Sequence, residues 1–299
     1  MFAAYAPGYF VDLGDGHIFP MRKYPLVHAA LTAEGTLPRD RVLEPREAST
    51  ADLLLVHTPD YLDRLFRGAL DSSEQRRLGF PWSPALVRRA RLATHGTTLA
   101  ARRALSDGLA ANLAGGSHHA FPDHGEGYCA LNDVAVAVRI LRREGRARRF
   151  ALIDCDAHQG NGNHAIFAAD PEVFTFSMHG RRNYPEVKVP GDWDVGLPDG
   201  TKDAAYLRSL EDALPAVLAR ARPDLVFYIA GVDPYCDDRL GRLALTLEGL
   251  RDRDRMVLDA CRSRGIPVAI TFAGGYAHDL RDTVEAHCNT IRTAADLFR

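Results

Sequence analysis

The chain has 299 residues, a formal net charge of -2, 46% hydrophobic residues and 25% charged residues. That is the balance of an ordinary globular protein, and so small a net charge argues against nucleic acid or an acidic membrane surface as a partner. No apolar run is long enough to span a bilayer, and residues 1–8 lack the basic stretch and apolar core of a secretory leader.

In chain order, residues 14–20 are turn-rich and read as a loop. Residues 51–57 form a short apolar run that reads as a strand. It leads into a helix over residues 60–68, with Thr58 as its cap and Pro59 in its first position. His57 is expected to be a buried, hydrogen-bonded histidine. Ser83 and Pro84 open a long helix to about Ser106, with Leu86, Ala90, Leu92, Ala93 and Leu99 near one face. Its arginines (Arg88, Arg89, Arg91, Arg102 and Arg103) are expected on a solvated face.

Residues 112–133 then read as a long loop dense in glycine, histidine and acid, before a helical pattern over 134–141. Long irregular segments in compact domains are commonly functional. The adjacent His118 and His119 could divide the work of base and charged partner, or, with His124, be plain polar loop residues.

Residues 150–153 are apolar and run into Asp154-Cys155-Asp156-Ala157-His158-Gln159-Gly160-Asn161-Gly162. This reads as a buried parallel strand delivering side chains to the carboxyl edge of a sheet. Alternation in an extended segment sets Asp154, Asp156 and His158 on one face. Two carboxylates and an imidazole crowded together call for a cation, unless they simply cap the next helix. The five cysteines (Cys129, Cys155, Cys236, Cys261 and Cys288) are odd in number and scattered. They point to a reducing, cytoplasmic setting and to structural roles for all five.

Beyond the centre, residues 173–179 read as a strand, 181–201 as a loop and 204–221 as a helix. Residues 224–233 repeat the central pattern, an apolar strand ending in Gly231 and Asp233. Thr246 starts a helix over 247–264, and residues 267–272 form a last strand before Gly274, Gly275 and Tyr276. Such alternation describes one α/β domain over residues 1–299, a mostly parallel sheet with helices on both faces. Ligands of such sheets sit at the strands' carboxyl ends. Asp156, His158, Asp233 and Tyr276 therefore gather at one edge with the loop bearing His118 and His119.

The motifs Gly115-Gly116-Ser117-His118-His119-Ala120, Gly127-Tyr128-Cys129-Ala130-Leu131-Asn132-Asp133, Ser177-Met178-His179, Ala230-Gly231-Val232-Asp233 and Gly274-Gly275-Tyr276 join the central one in a single order. Together they resemble the zinc-dependent histone deacetylase family, which shares the arginase/deacetylase fold, and are closest to its bacterial, class IV-like branch. The resemblance implies a deacylase that cleaves an acyl-amide with a metal-activated water. It makes Asp156, His158 and Asp233 the zinc ligands, a set whose chemistry also suits iron(II) or cobalt.

His119 would be the general base and later acid, with His118, oriented by Asp154, as its electrostatic partner. Asn161 would orient His119, where the family has Asp or Asn, and Tyr276 would donate to the developing oxyanion. Tyr128, where the family more often has Phe, would line the acyl-lysine channel, with Tyr184 on another wall. Gly127 and Gly275 would contact substrate, and a structural potassium would fall on Asp154, Asp156, His158, Ser177 and Met178. Gln159 stands where some members have a second histidine.

The expected substrate is an acylated lysine or similar amine, with oligomeric state open. An acetylpolyamine amidohydrolase is the alternative, for which Asp123, Glu126, Asp237 and Asp238 would supply an acidic rim. A non-catalytic acyl-ligand-binding relative and an arginase-like ureohydrolase fit less well, because His119 and Tyr276 are present and no second metal set is.

Overall fold

The computed structural model describes residues 1–14 and 16–298; Asp15, in the expected 14–20 loop, lies outside the described residues. Among the described residues the chain forms eight strands and ten α-helices. The strands are β1 (Phe2–Ala4), β2 (Val42–Leu43), β3 (Leu109–Asn112), β4 (Phe150–Asp154), β5 (Val173–Gly180), β6 (Trp193–Leu197), β7 (Leu225–Ala230) and β8 (Val268–Phe272). The first five helices are α1 (Lys23–Ala33), α2 (Thr50–Leu53), α3 (Pro59–Arg67), α4 (Ser72–Leu78) and α5 (Pro84–Asp107). The rest are α6 (Asp133–Arg143), α7 (Asn161–Phe167), α8 (Asp203–Ala221), α9 (Leu247–Arg262) and α10 (Leu280–Leu297).

All strands join one parallel sheet in the order β2-β1-β3-β8-β7-β4-β5-β6. The central strands are apolar throughout because both faces are covered. Phe150, Leu152, Phe227 and Ile229 pack with α5 and α6, while Ala151, Ile153, Val226 and Tyr228 pack with α8, α9 and α10. From β4 the chain moves outward through β5 and β6, then returns to set β7 on the other side of β4. That reversal opens a crevice at the carboxyl ends of β4 and β7, where open α/β sheets bind ligands.

Most expected elements form, and the exceptions have local causes. Residues 51–57 are not a strand: Ser49 accepts from the Asp52 amide at 3.1 Å and caps the short helix α2. Within the expected 181–201 loop lies β6, a half-exposed edge strand whose register is set by β5. β1, β2 and β3 were not expected, being short and, in β1 and β3, alanine-rich, with little intrinsic strand signal. Arg89 is buried rather than solvated, donating to the Tyr9 carbonyl and the Tyr24 hydroxyl. Four cysteines are buried as expected, whereas Cys236 is exposed. Among the described residues, no helix is long and apolar enough to cross a membrane.

Candidate active site

β4 ends at Asp154, so alternation along a strand does not carry Asp156 and His158 to the site. Two successive turns do. Asp154 accepts from the Asp156 amide at 3.1 Å, and Asp156 accepts from the His158 amide at 2.9 Å. Each carboxylate thus holds the backbone two residues ahead, as aspartates do in tight turns. From the tip of β7, Asp233 accepts from the Ala157 amide at 2.7 Å, and past β8 the Gly274 amide donates to Asp156 at 2.7 Å. Gly274 has to be glycine, since a β-carbon there would lie 1.9 Å from an Asp233 oxygen.

These turns bring His158 Nδ1 to 3.0 Å from Asp156 Oδ1 and 2.9 Å from Asp233 Oδ2. One donor atom from each of the three residues lies within 4.8 Å of the others, and all three are buried. Burial, then the neighbouring Asp156, push the Asp233 carboxyl up to about 7. Two buried carboxylates repelling across one imidazole are what a bound cation relieves. The oxygen, nitrogen and oxygen donors fit a divalent transition metal.

The histidine pair sits beside this group. His118 Nδ1 lies 2.6 Å from Asp154, and although burial opposes its charged form, Asp154 and Asp156 raise it to about 9. His119 is held well below the usual imidazole range by burial, then by the charges of His118 and His158. Its Nδ1 lies 2.7 Å from Asn161 Oδ1, and Asn161 in turn donates its amide to Glu126 at 2.6 Å. Because that amide points at Glu126, Asn161 offers oxygen to His119. His119 therefore donates through Nδ1 and leaves Nε2 as its free basic atom.

The loop is fixed from two sides. The carboxylate of Asp133 accepts from the Gly116 amide at 3.0 Å and the Ser117 amide at 2.7 Å. His57, buried as expected, bonds the Phe121 carbonyl at 3.1 Å and accepts from the Asn132 amide at 3.0 Å.

An open cleft leads from the surface to His119 and His158. Gly127, Tyr128, Tyr184 and Tyr276 line it, and the Tyr184 ring stands perpendicular to His119 at 5.0 Å between centroids. Gly127 has a left-handed backbone (φ 55°), and a β-carbon on it would come within 2.6 Å of His119. Tyr276 also lines a smaller cavity behind the histidines. Burial, then Asp233, hold its hydroxyl well above the usual phenol range, so it keeps its proton.

The other expected positions divide. Gly275 packs towards Val232, Thr283 and His287, and Gly274 faces the cavity instead. Ser177 lies beside Asp154 in the β4–β5 register, and its hydroxyl is engaged with His179 at 2.9 Å. Gln159 is not idle: it donates to Asp194 at 2.8 Å and accepts from the Val189 amide at 2.9 Å, tying the loop before β6 to the site. The acidic rim does not form. Glu126 is buried behind Asn161, Asp238 is occupied by the Leu240, Gly241 and Tyr276 amides, and neither Asp123 nor Asp237 lines the cleft.

The comparison with known proteins agrees with this geometry. The family model described as the histone deacetylase domain matches residues 17–291. The chain belongs to the histone deacetylase family. This family member is 46% identical to an uncharacterized protein of Picosynechococcus sp., over 98% of each chain. It is 32% identical to histone deacetylase 2 of Arabidopsis thaliana, covering 92% of this chain and 75% of the relative. Its structure matches the crystal structure of an HDAC homologue complexed with SAHA, with a TM-score of 0.79 and 26% identity over 91% of this chain and 77% of that one. The HDA15 HD domain has the same fold, with a TM-score of 0.82 at 23% identity over 98% of this chain and 90% of that one.

Two features of this deacetylase-family site lie beyond the sequence motifs. One is Glu126 behind Asn161, for which its position next to Gly127 was the available signal. The other is Lys23, fully buried and donating to the Ala273 carbonyl at 2.8 Å. Its ammonium lies 5.5 Å from the centroid of the Tyr276 ring. A lysine in the first turn of a helix carries no sequence mark of such a position.

Proposed function

We propose that this protein is a metal-dependent deacylase that hydrolyses the acyl-amide of an acylated lysine or a similar amine. The observation that carries the reading is the Asp156, His158 and Asp233 group standing next to two differently tuned histidines at the bottom of one cleft. Asp156, His158 and Asp233 would hold a divalent ion, zinc or alternatively iron(II) or cobalt. When bound, such an ion supplies Lewis acidity for the amide carbonyl and a more acidic water.

The protein's own groups do the rest. His119, neutral and with Nε2 free, takes the proton of the attacking water and returns it to the leaving amine. His118, kept charged by Asp154, stabilises negative charge beside it; opposite environments for two like groups separate their roles. Asn161 fixes the tautomer of His119, and Tyr276 donates its hydroxyl to the oxyanion. Tyr128 and Tyr184 would enclose the aliphatic arm of the amine, and the Gly127 carbonyl would accept from the substrate amide.

The test is amine release by zinc-loaded protein from acetyl-lysine peptides, longer acyl-lysine peptides and acetylated polyamines, with His119→Ala as the control. Turnover that disappears in the control supports the reading. Turnover that survives it removes His119 from the base role.

A further inference from the structure

The mouth of the cleft is basic, although the whole chain carries a net charge of -2. Arg76 and Arg77 come from the last turn of α4, Arg182 from the segment after β5 and Arg242 from the segment after β7. No carboxylate shares the lining with them among the described residues. Arg182 and Arg242 share one partner, Asp199, at 3.6 and 3.4 Å. Arg76 and Arg77 have no carboxylate within ion-pair distance among the described residues, and both are exposed.

The positions are held by the backbone. The Gly127 and Tyr128 amides donate to the Arg77 and Leu78 carbonyls at 3.1 and 2.9 Å, which docks the end of α4 on the cleft wall. The Arg242 amide donates to Asn183 at 3.1 Å, and Asn183 donates to the Leu240 carbonyl at 2.8 Å. Three segments distant in sequence thus present guanidiniums around a single opening.

We propose that this ring selects acyl-amides whose amine-bearing part is anionic, and that Arg76 and Arg77 are its principal specificity determinants. The inference rests on the deacylase reading and names its substrate class. The shared chemistry is a carboxylate-bearing group about a lysine side chain's length from the amide. It can come from an acyl-lysine with acidic neighbours in a peptide, or from a single N-acylated amino acid. A ring of like charge disfavours cationic acetylpolyamines and Lys/Arg-rich peptides, because like charges facing one another oppose association and opposite ones steer it.

The experiment measures kcat/KM of zinc-loaded protein for three acetyl-lysine peptides of equal length, with acidic, neutral or basic neighbours. 6-Acetamidohexanoate, which carries its carboxylate a lysine side chain's length from the amide and no cation, and N-acetylputrescine form two further arms. Binding of the same peptides to metal-free protein, by fluorescence anisotropy, gives a readout independent of turnover.

The expected result is a preference of about tenfold or more for the acidic over the basic peptide at low salt, shrinking as screening increases. The Arg76→Glu/Arg77→Glu double variant, on an exposed turn, should bring that ratio to one or invert it in both assays. 6-Acetamidohexanoate outpacing the acidic peptide supports the proposal with a small-molecule source. Turnover of the neutral peptide with equal acidic and basic values overturns the ring's role and leaves the deacylase standing. N-acetylputrescine as the best substrate overturns it too, and no turnover or binding in any arm sinks both readings.

Discussion

The floor and the mouth of the cleft are built on opposite plans. The floor is acidic, buried and made from the tips of adjacent strands, where backbone amides aim each carboxylate. The mouth is basic, solvated and made from the ends of segments that are not neighbours in the sheet. A floor of that kind admits almost no change, because Asp156 and Asp233 each hold backbone amides and are candidate ligands at once. A mouth of exposed arginines can be rewritten without touching the fold. Chemistry and selectivity are thereby assigned to separate parts of the molecule.

Breaking the floor should have the largest effect. Asp233→Ala removes a donor and the acceptor for the Ala157 amide, so turnover should fall to background. Metal content after gel filtration in zinc should drop with it, and full occupancy would remove Asp233 from the ligand set. His119→Ala should lower kcat by about two to four orders of magnitude while metal stays bound. Tyr276→Phe should cost roughly 10²–10³ in kcat with little change in KM; an effect on KM alone would contradict an oxyanion donor.

At the join between floor and wall, Glu126→Gln should cost only a few-fold. The charge behind Asn161 favours the protonated form of His119, so its loss should move the acid limb of the kcat/KM profile to lower pH. An unmoved limb would reduce Glu126 to a packing role.

A last contrast lies away from the chemistry. His57 is buried neutral, its pKa pushed down to about 4 by burial, with Nε2 committed to accepting from the Asn132 amide. The unfolded chain protonates this histidine near its ordinary value while the folded one does not. Its contribution is therefore present above that value and lost as pH falls towards 4. Between pH 7 and 5 this amounts to roughly 2 kcal/mol. Urea unfolding should show wild type losing more stability over that interval than His57→Asn, and equal losses would mean that His57 titrates normally.

What could be read from the sequence follows the same division. β4, β7 and β8 were legible because burial on both faces leaves them as unbroken apolar runs, each ending in glycine or acid. The convergence of Asp156, His158 and Asp233 was legible too, but for an incomplete reason, since turns and not strand alternation aim the first two. The acidic rim was misread because composition gives the number of carboxylates near a motif and not their hydrogen-bond partners. Glu126 and Asp238 are spent inside the protein. The arginine ring was invisible: Arg76, Arg182 and Arg242 become neighbours only when α4 docks on Gly127 and Asn183 bridges to Leu240.

The order of the sheet also dictates when the site can exist during synthesis. A nascent chain that has completed β5 already owns Asp156 and His158, yet the edge of β4 that β7 will occupy is still bare. Asp233 arrives only with β7, and Gly274 only after β8 has closed the gap to β3. An ion bound by all three residues can therefore stabilise only a chain that has passed β7. Chains released early keep an unpaired strand edge in the middle of the future sheet, the kind of surface that promotes aggregation. Occupancy of the centre would thus report that translation had passed β7, and a chain ending at residue 221 should retain no metal on gel filtration.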